Sequence, residues 1–284
     1  MFASTFVTHV SFITTDEDGE DTPMNLPMTA VLGSYNPQDP LPEDDGSDNE
    51  YYSQQLDYDK PMDVYLHGNS AMMLRRAVRK NGSMKVCLCA TKGMSSFYAI
   101  SCYGDQSRLS LILTLIIVDG VVLNFTPNGH SLNYRSAVIH GNAELVESAN
   151  EKRYSMHLLT NHMISRRWSN TNETAPSALK GVQILKVTVR SASGKVRAKN
   201  MGAADNLEAL SPRDDVYTGV VPLYEVLGEP VESGYFPDRP VQQHLRDWIE
   251  ARNREEKRYA CSVARQTEED VRAMKEHLKQ YAAT

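Results

Sequence analysis

HSLNYRSAVIHGNAELVES, His130 to Ser148, is the stretch on which the fold turns. Its second half, Ala137 to Val146, alternates apolar and polar residues around Gly141, the pattern of a β-strand kinked or bulged at the glycine. A strand fixes the polar groups at its entrance in a defined array. Here that array holds Arg135 with hydroxyls at Ser131, Tyr134 and Ser136. A cation with several hydrogen-bond donors is suited to gripping a phosphate or another anion. Two readings of Arg135 stand at this point. It grips an anion, or it pairs with a neighbouring carboxylate at the strand start.

Downstream of this strand, Asn150 to Trp168 spaces Tyr154, Leu158, Leu159 and Met163 as one apolar helix face. His157 and His162 on that helix lack the spacing and carboxylate company of a metalloprotease site. Val182 to Val189 is a strand, followed by the basic and hydroxyl run Ser191 to Arg197, SASGKVR. Tyr217 to Leu223 is a last short extended segment. From Pro240 onward the composition becomes charged and helical, with few apolar positions. Residues 229–284 read as a surface helical extension on a domain of residues 1–228.

Upstream, Phe6 to Thr14 and Pro23 to Leu32 form a hairpin, with Pro27 at an edge or bulge and His9 as a buried, hydrogen-bonded histidine. Residues 33–61, rich in proline and acidic side chains, read as a long solvated loop. Asp63 to His67 is a short strand. Ser70 can cap the helix Ala71 to Lys80, which Gly82 stops. The free N–H groups at that helix start, beside His67, make a second candidate anion site. Met84 to Thr91 is a strand, and Ile116 to Thr126 reads as two strands joined by a tight Asp119-Gly120 turn. Lys92 to Thr114 fits neither neighbour and reads as an insertion, of the kind a retained intron produces. Six or seven mostly antiparallel strands at this spacing suit a small β-barrel.

The formal net charge of −6 argues against general nucleic-acid binding. The apolar stretches are too short or too interrupted for a membrane helix, and no secretory leader is legible, so a cytoplasmic protein is expected. Cys87 and Cys89 stand two apart on one strand with no second pair and no nearby histidine, so they read as small core residues and no metal is expected.

The ordered series HVSFIT, NLPMTAVL, VYLHGNS, KVCLCAT, LIIVDGVVL, HSLNYRSAVIHGNAELV, EKRYSMHLLTNHMISRRW, SASGKVR and YTGVVPL resembles the pyridoxamine 5′-phosphate oxidase-like FMN-binding split barrels. The chain is most similar to the branch containing the 5-nitroimidazole resistance and flavin-nucleotide-binding proteins. The resemblance covers most of residues 6–223. It implies a mainly β split barrel with flanking helices, and a homodimer with FMN in a groove between subunits. Tyr134, Arg135 and Ser136, with Ser131, would contact or position the cofactor. His67, Gly68 and Ser70 would lie beside its phosphate, and Pro27, Met28 and Thr29 along its ring edge. Lys195 and Arg197 would contribute further, and Trp168 would wall the pocket. Where relatives often carry a polar pair such as Ser-Arg, this chain has Met72 and Met73, leaving Ser70, Arg75 or Arg76 as substitutes.

The implied activity is FMN-dependent oxidation or reduction of a small molecule. Oxidation of pyridoxamine phosphate itself is disfavoured, because no second phosphate site is legible. His67, His130 and Tyr134 are the candidates for proton transfer, and no catalytic residue is assigned. Two alternatives remain: a non-catalytic flavin-binding protein, and a haem-binding split barrel with His9, His67 or His130 as axial ligand.

Overall fold

The computed structural model describes residues 5–15, 18–40, 61–67, 71–91, 117–201, 215–236, 238–267, 269–270 and 273. Gly68, Ser70, the side chain of Met72, most of the stretch 33–61 read as an acidic loop and the segment 92–114 read as an insertion lie outside them. Among the described residues the chain forms eight strands in one antiparallel sheet. The hairpin is β1 (Val7–Thr15) and β2 (Asp21–Gly33). Then come β3 (Asp63–His67), helix α1 (Ala71–Asn81), β4 (Met84–Thr91) and β5 (Ile117–Leu123). The long strand β6 (Ser131–Leu145) leads into helix α2 (Ala149–Met163) and the short α3 (Pro176–Gly181). The chain ends with β7 (Leu185–Arg197), β8 (Gly219–Pro222) and helix α4 (Gln243–Arg265).

The strand order is β4-β1-β2-β3-β7-β6-β5-β8, and β4 also pairs with β6. Six strands, β1, β2, β3, β7, β6 and β4, therefore close into a ring, which leaves no free edge within it. β5 and β8 hang from the N-terminal half of β6. This is a split barrel, as the resemblance implied, with eight strands among the described residues where six or seven were expected. Its interior is filled by alternate residues of each strand, among them Val10, Phe12, Val64, Leu66, Leu88 and Leu185, together with Leu74 and Val78 from α1. Gly82, at φ +76°, ends α1 in the conformation glycine adopts most readily. Ser148 caps α2, its hydroxyl accepting from the Glu151 N–H at 3.4 Å. A second cluster, with Val31, Tyr65, Leu159 and Ile184 at its centre, seats α2 on the outside of the barrel. There the fully buried Tyr65 donates its hydroxyl to Glu151 at 3.0 Å, and Lys186 donates to the same carboxylate at 3.0 Å.

One reading of the sequence changes and two are refined. Asp119-Gly120 is no hairpin turn: it lies inside β5, where the register against β6 shifts between Val118 and Gly120. A bulge accommodates the extra residue without ending the strand. SASGKVR, read only as a basic and hydroxyl run after the strand, is the second half of β7, because β6 pairs with it as far as Arg197. The C-terminal surface extension includes a helix that packs on the barrel domain. Trp248, Arg252, Glu256, Ala260 and Val263 are buried at helical spacing, and Trp248 and Arg252 pack on Phe6. No helix among the described residues is long and apolar enough to cross a membrane.

Strands β4 and β5 share one edge of β6. Cys89 faces Val138 and Ile117 faces Arg135. Between those pairs the chain advances 28 residues (89 to 117) while β6 advances three (138 to 135), an excess of 25. Thr91 and Ile117 would therefore be consecutive on an unbroken strand. Deleting residues 92–116 is expected to fuse β4 to β5 without changing any register. It should raise stability by about 2 kcal/mol through the shorter loop. A thermal melt checks this, and a deleted chain that no longer folds contradicts it.

Buried histidines give the fold a pH dependence. Burial, against the Thr5 hydrogen bond and with some help from the Arg252 charge, lowers the His162 pKa. Its Nε2–H donates to the Thr5 carbonyl at 2.7 Å. The unfolded chain then takes up the proton more readily than the folded one. Stability is expected to fall as pH drops below about 6.5, the ordinary value for histidine. His162→Gln, which keeps a donor but cannot titrate, should flatten the slope in denaturation curves from pH 7 to 5.

Candidate functional site

The polar cluster that opens β6 is itself strand, so its side chains alternate between two faces. Ser131, Asn133 and Arg135 point one way, Tyr134 and Ser136 the other. Asn133 is fully buried and clamps the backbone beyond β7: its amide donates to the Lys199 carbonyl at 2.9 Å and accepts from the Lys199 N–H at 3.1 Å. Arg135 forms a bidentate pair with Asp119, Nε to Oδ2 at 2.9 Å and Nη2 to Oδ1 at 2.7 Å. Its guanidinium also lies 4.0 Å above the Tyr259 ring of α4. Burial opposes the charge, yet the hydrogen bonds and charge of Asp119 raise the Arg135 pKa above its ordinary value. Of the two readings of Arg135, the structure contains the carboxylate pair.

On the opposite face of β6 a different group assembles. Tyr134 is paired with Arg197 and Ser136 with Lys195, and antiparallel partners share a face. The exposed Lys195 ammonium lies 5.6 Å from the centre of the Tyr134 ring. Arg197 donates from Nη1 to the Leu132 carbonyl at 3.0 Å, which fixes the fork and leaves further N–H groups. Two cations and two hydroxyls, one of them buried at Ser136, meet on one strand pair. This donor set suits an anionic group.

The hairpin and β3 supply the second part. Thr29 is paired with His67 across β2 and β3, and both side chains are half-buried. The His67 Nδ1 is 3.4 Å from the Gln183 carbonyl. The Met28 side chain points into the barrel core, so only its backbone faces outward, while Pro27 is exposed beside His9. Registers place both parts at one level of the wall. Cys89 of β4 faces Val138, two residues from Ser136. The next residue, Ala90, faces Thr8, and Thr8 faces Met28. Three strand steps separate Ser136 from Thr29, about 14 Å around the wall.

Other named residues sit elsewhere. Trp168 lies in the turn after α2, edge-on to His157 with centroids 5.6 Å apart. His130 is exposed and donates from Nδ1 to the Thr126 carbonyl at 2.9 Å. His9 has its pKa lowered by burial, against a hydrogen bond to Asn25. Among the described residues no group of three or more His, Cys, Asp or Glu could hold a metal ion. Asp119 and Tyr259 were missed in the sequence. The Asp-Gly pair imitates a turn, and Tyr259 lies 124 positions from Arg135 (259 against 135) on an element with little apolar signal.

With a split barrel bearing a hydroxyl-and-cation rim, the class of protein is set. The sequence profile of pyridoxamine 5′-phosphate oxidase matches residues 1–196, and the chain belongs to that family. Solved structures with a similar fold include the flavocytochrome Anf3 from Azotobacter vinelandii. It is 18% identical at a TM-score of 0.54, over 86% of this chain and 85% of that one. The FAD and heme binding protein from Mycobacterium smegmatis is 17% identical at a TM-score of 0.56, over 87% and 91%. A candidate 5-nitroimidazole antibiotic resistance protein from Bacteroides thetaiotaomicron VPI-5482 is 19% identical over 68% and 77%, at a TM-score of 0.36 too low to bear on the fold. No curated protein matches the chain significantly.

The Arg135–Asp119 pair is largely removed from solvent, with side chains 14% and 6% exposed. Asp119→Ala leaves a buried guanidinium unpaired and is expected to cost about 3 kcal/mol. The melting temperature should fall by roughly 10 °C. The double variant Asp119→Leu/Arg135→Met should recover most of that loss in the same melt, because it removes both charges.

Proposed function

We propose that the chain binds FMN as a homodimer and uses it in the oxidation or reduction of a small molecule. The observation that carries this reading is the rim of the split barrel, where Tyr134, Ser136, Lys195 and Arg197 stand level with Thr29 and His67. Family membership supports it. So does a fold shared with a flavocytochrome and with a protein that binds FAD and heme.

In this reading Lys195 and Arg197 neutralise the phosphate, and the hydroxyls of Tyr134 and Ser136 orient it, while Ser131, on the opposite face of β6, stays out of it. The outward backbone of Pro27–Thr29 lies along the ring edge, and the half-buried His67 is placed to hold or pass a proton. Gly68 and Ser70, which follow His67 in the sequence, are proposed as further contacts to the phosphate. Arg135 acts as a positioning residue: its pair with Asp119 fixes the β5–β6 register, and through it the side on which Tyr134 projects. A bound flavin supplies the two-electron redox chemistry, and the protein supplies binding, orientation and access. A non-catalytic flavin carrier uses the same rim. A haem site calls instead on His67 or His9, and the fold shared with a flavocytochrome and with an FAD and heme binding protein supports that second reading.

The absorbance spectrum of the purified protein tests the proposal, with mass analysis of what heat releases. FMN is the expected product. Lys195→Ala/Arg197→Ala should weaken FMN binding at least tenfold with little change in melting temperature, since Lys195 is exposed and Arg197 is at the strand end. A Soret band in place of flavin bands supports haem. A colourless protein that fails to take up added FMN overturns the reading. Size-exclusion chromatography with light scattering reports the dimer.

A further inference from the structure

A cavity of about 880 Å³ opens between α1 and the β1–β2 hairpin; of the residues named toward the flavin only Arg76 lines it, and none of Tyr134, Ser136, Lys195, Arg197, Thr29 and His67 does. We propose that it binds an organic anion, a carboxylate or phosphate head on a flat apolar body. The volume is that of a small-molecule site. Its floor is apolar: Phe12 and Val86, each 4% exposed, belong to the barrel core, and Met24 and Met84 pack against it. Met73 of α1, 45% exposed, closes one side. Three thioether side chains around one opening can repack to the outline of a ligand.

The rim carries the charge. Arg76 and Lys80 are four residues apart on α1 and so share a face. Lys85 comes from β4 and His140 from β6, on the far wall. Asp21 is the one carboxylate among the described residues that line the cavity, and it accepts the Thr15 hydroxyl at 2.8 Å. Against a chain with a formal charge of −6, three permanent cations facing one carboxylate make a locally positive opening over an apolar floor. Cys87 adds no negative charge at neutral pH, because burial, and then the neighbouring Cys89, raise its pKa. A neutral apolar compound would leave the cations without a partner, and an inorganic anion would leave the floor wet. An amphipathic anion satisfies both.

The test titrates the FMN-treated full chain by calorimetry with 1-naphthyl phosphate, 1-naphthoate and neutral 1-naphthylmethanol. Saturable binding of one or both anions, at least tenfold tighter than the neutral compound, is expected. The two anions differ only in head group, so their order identifies the preferred one. Lys80→Glu/Lys85→Glu should lower anion affinity at least tenfold, with melting temperature and FMN affinity unchanged, because both side chains are exposed and neither is a flavin candidate. Met24→Trp should fill the floor and block all three compounds. No saturable binding overturns the proposal. So does an affinity indifferent to charge reversal, or equal affinity for the neutral compound. Displacement of the anion by FMN in direct competition overturns it as well, since the site would then be the flavin's.

Discussion

The structure depends on hydrogen bonding along both edges of β6. One edge is taken by β7 from Tyr134 to Leu145, the other by β5 and then β4. A strand of 15 residues, about 50 Å long, thereby serves two purposes. Its C-terminal half closes the barrel, and its N-terminal half carries the split-off strands and the polar rim. Gly141 is required where the two halves meet: a Cβ there would collide with the Thr188 carbonyl oxygen. The register shift against β7 falls at the same place, between His140 and Gly141. Closure and the direction of the rim side chains are thus set by one local feature.

The C-terminal helix is the second constraint. Its buried stripe holds an arginine and a glutamate, Arg252 and Glu256, and it docks by stacking as well as by apolar area. Arg252 stands over Phe6 at 4.1 Å, and Tyr259 lies under Arg135 at 4.0 Å. Asn253 reinforces the docking by exchanging hydrogen bonds of 2.8 and 2.9 Å with the Leu227 backbone. These contacts hold α4 against the face of β6 opposite Tyr134. They turn Arg135 inward and leave Lys195 and Arg197 as the cations that face outward with Tyr134.

Most of the fold was legible because barrel strands and amphipathic helices are local, periodic patterns. β3 and β4 fall at the residues read from the sequence, and α1 ends one residue later. The hairpin β1–β2 is likewise where the alternation put it. The departures share a cause. Asp119-Gly120 has the composition of a turn, and only pairing with β6 makes it a bulge. SASGKVR, assigned to no element from the sequence alone, continues the strand because β6 offers it an edge. Glycine, serine and aspartate report what a backbone can do, while the partner strand decides what it does.

By itself the sequence determined the barrel class, the order of its elements and the stretch that carries the polar chemistry. Those properties follow from residue type and near-neighbour spacing. The tertiary structure alone decided which way each polar group of that stretch points. A strand sends successive residues to opposite faces, and partners distant in the chain, Asp119 and Tyr259 for Arg135, Lys195 and Arg197 for Tyr134 and Ser136, then claim them. It also decided that β4 and β5 run along one edge of β6 in a common line, since register exists only between paired strands.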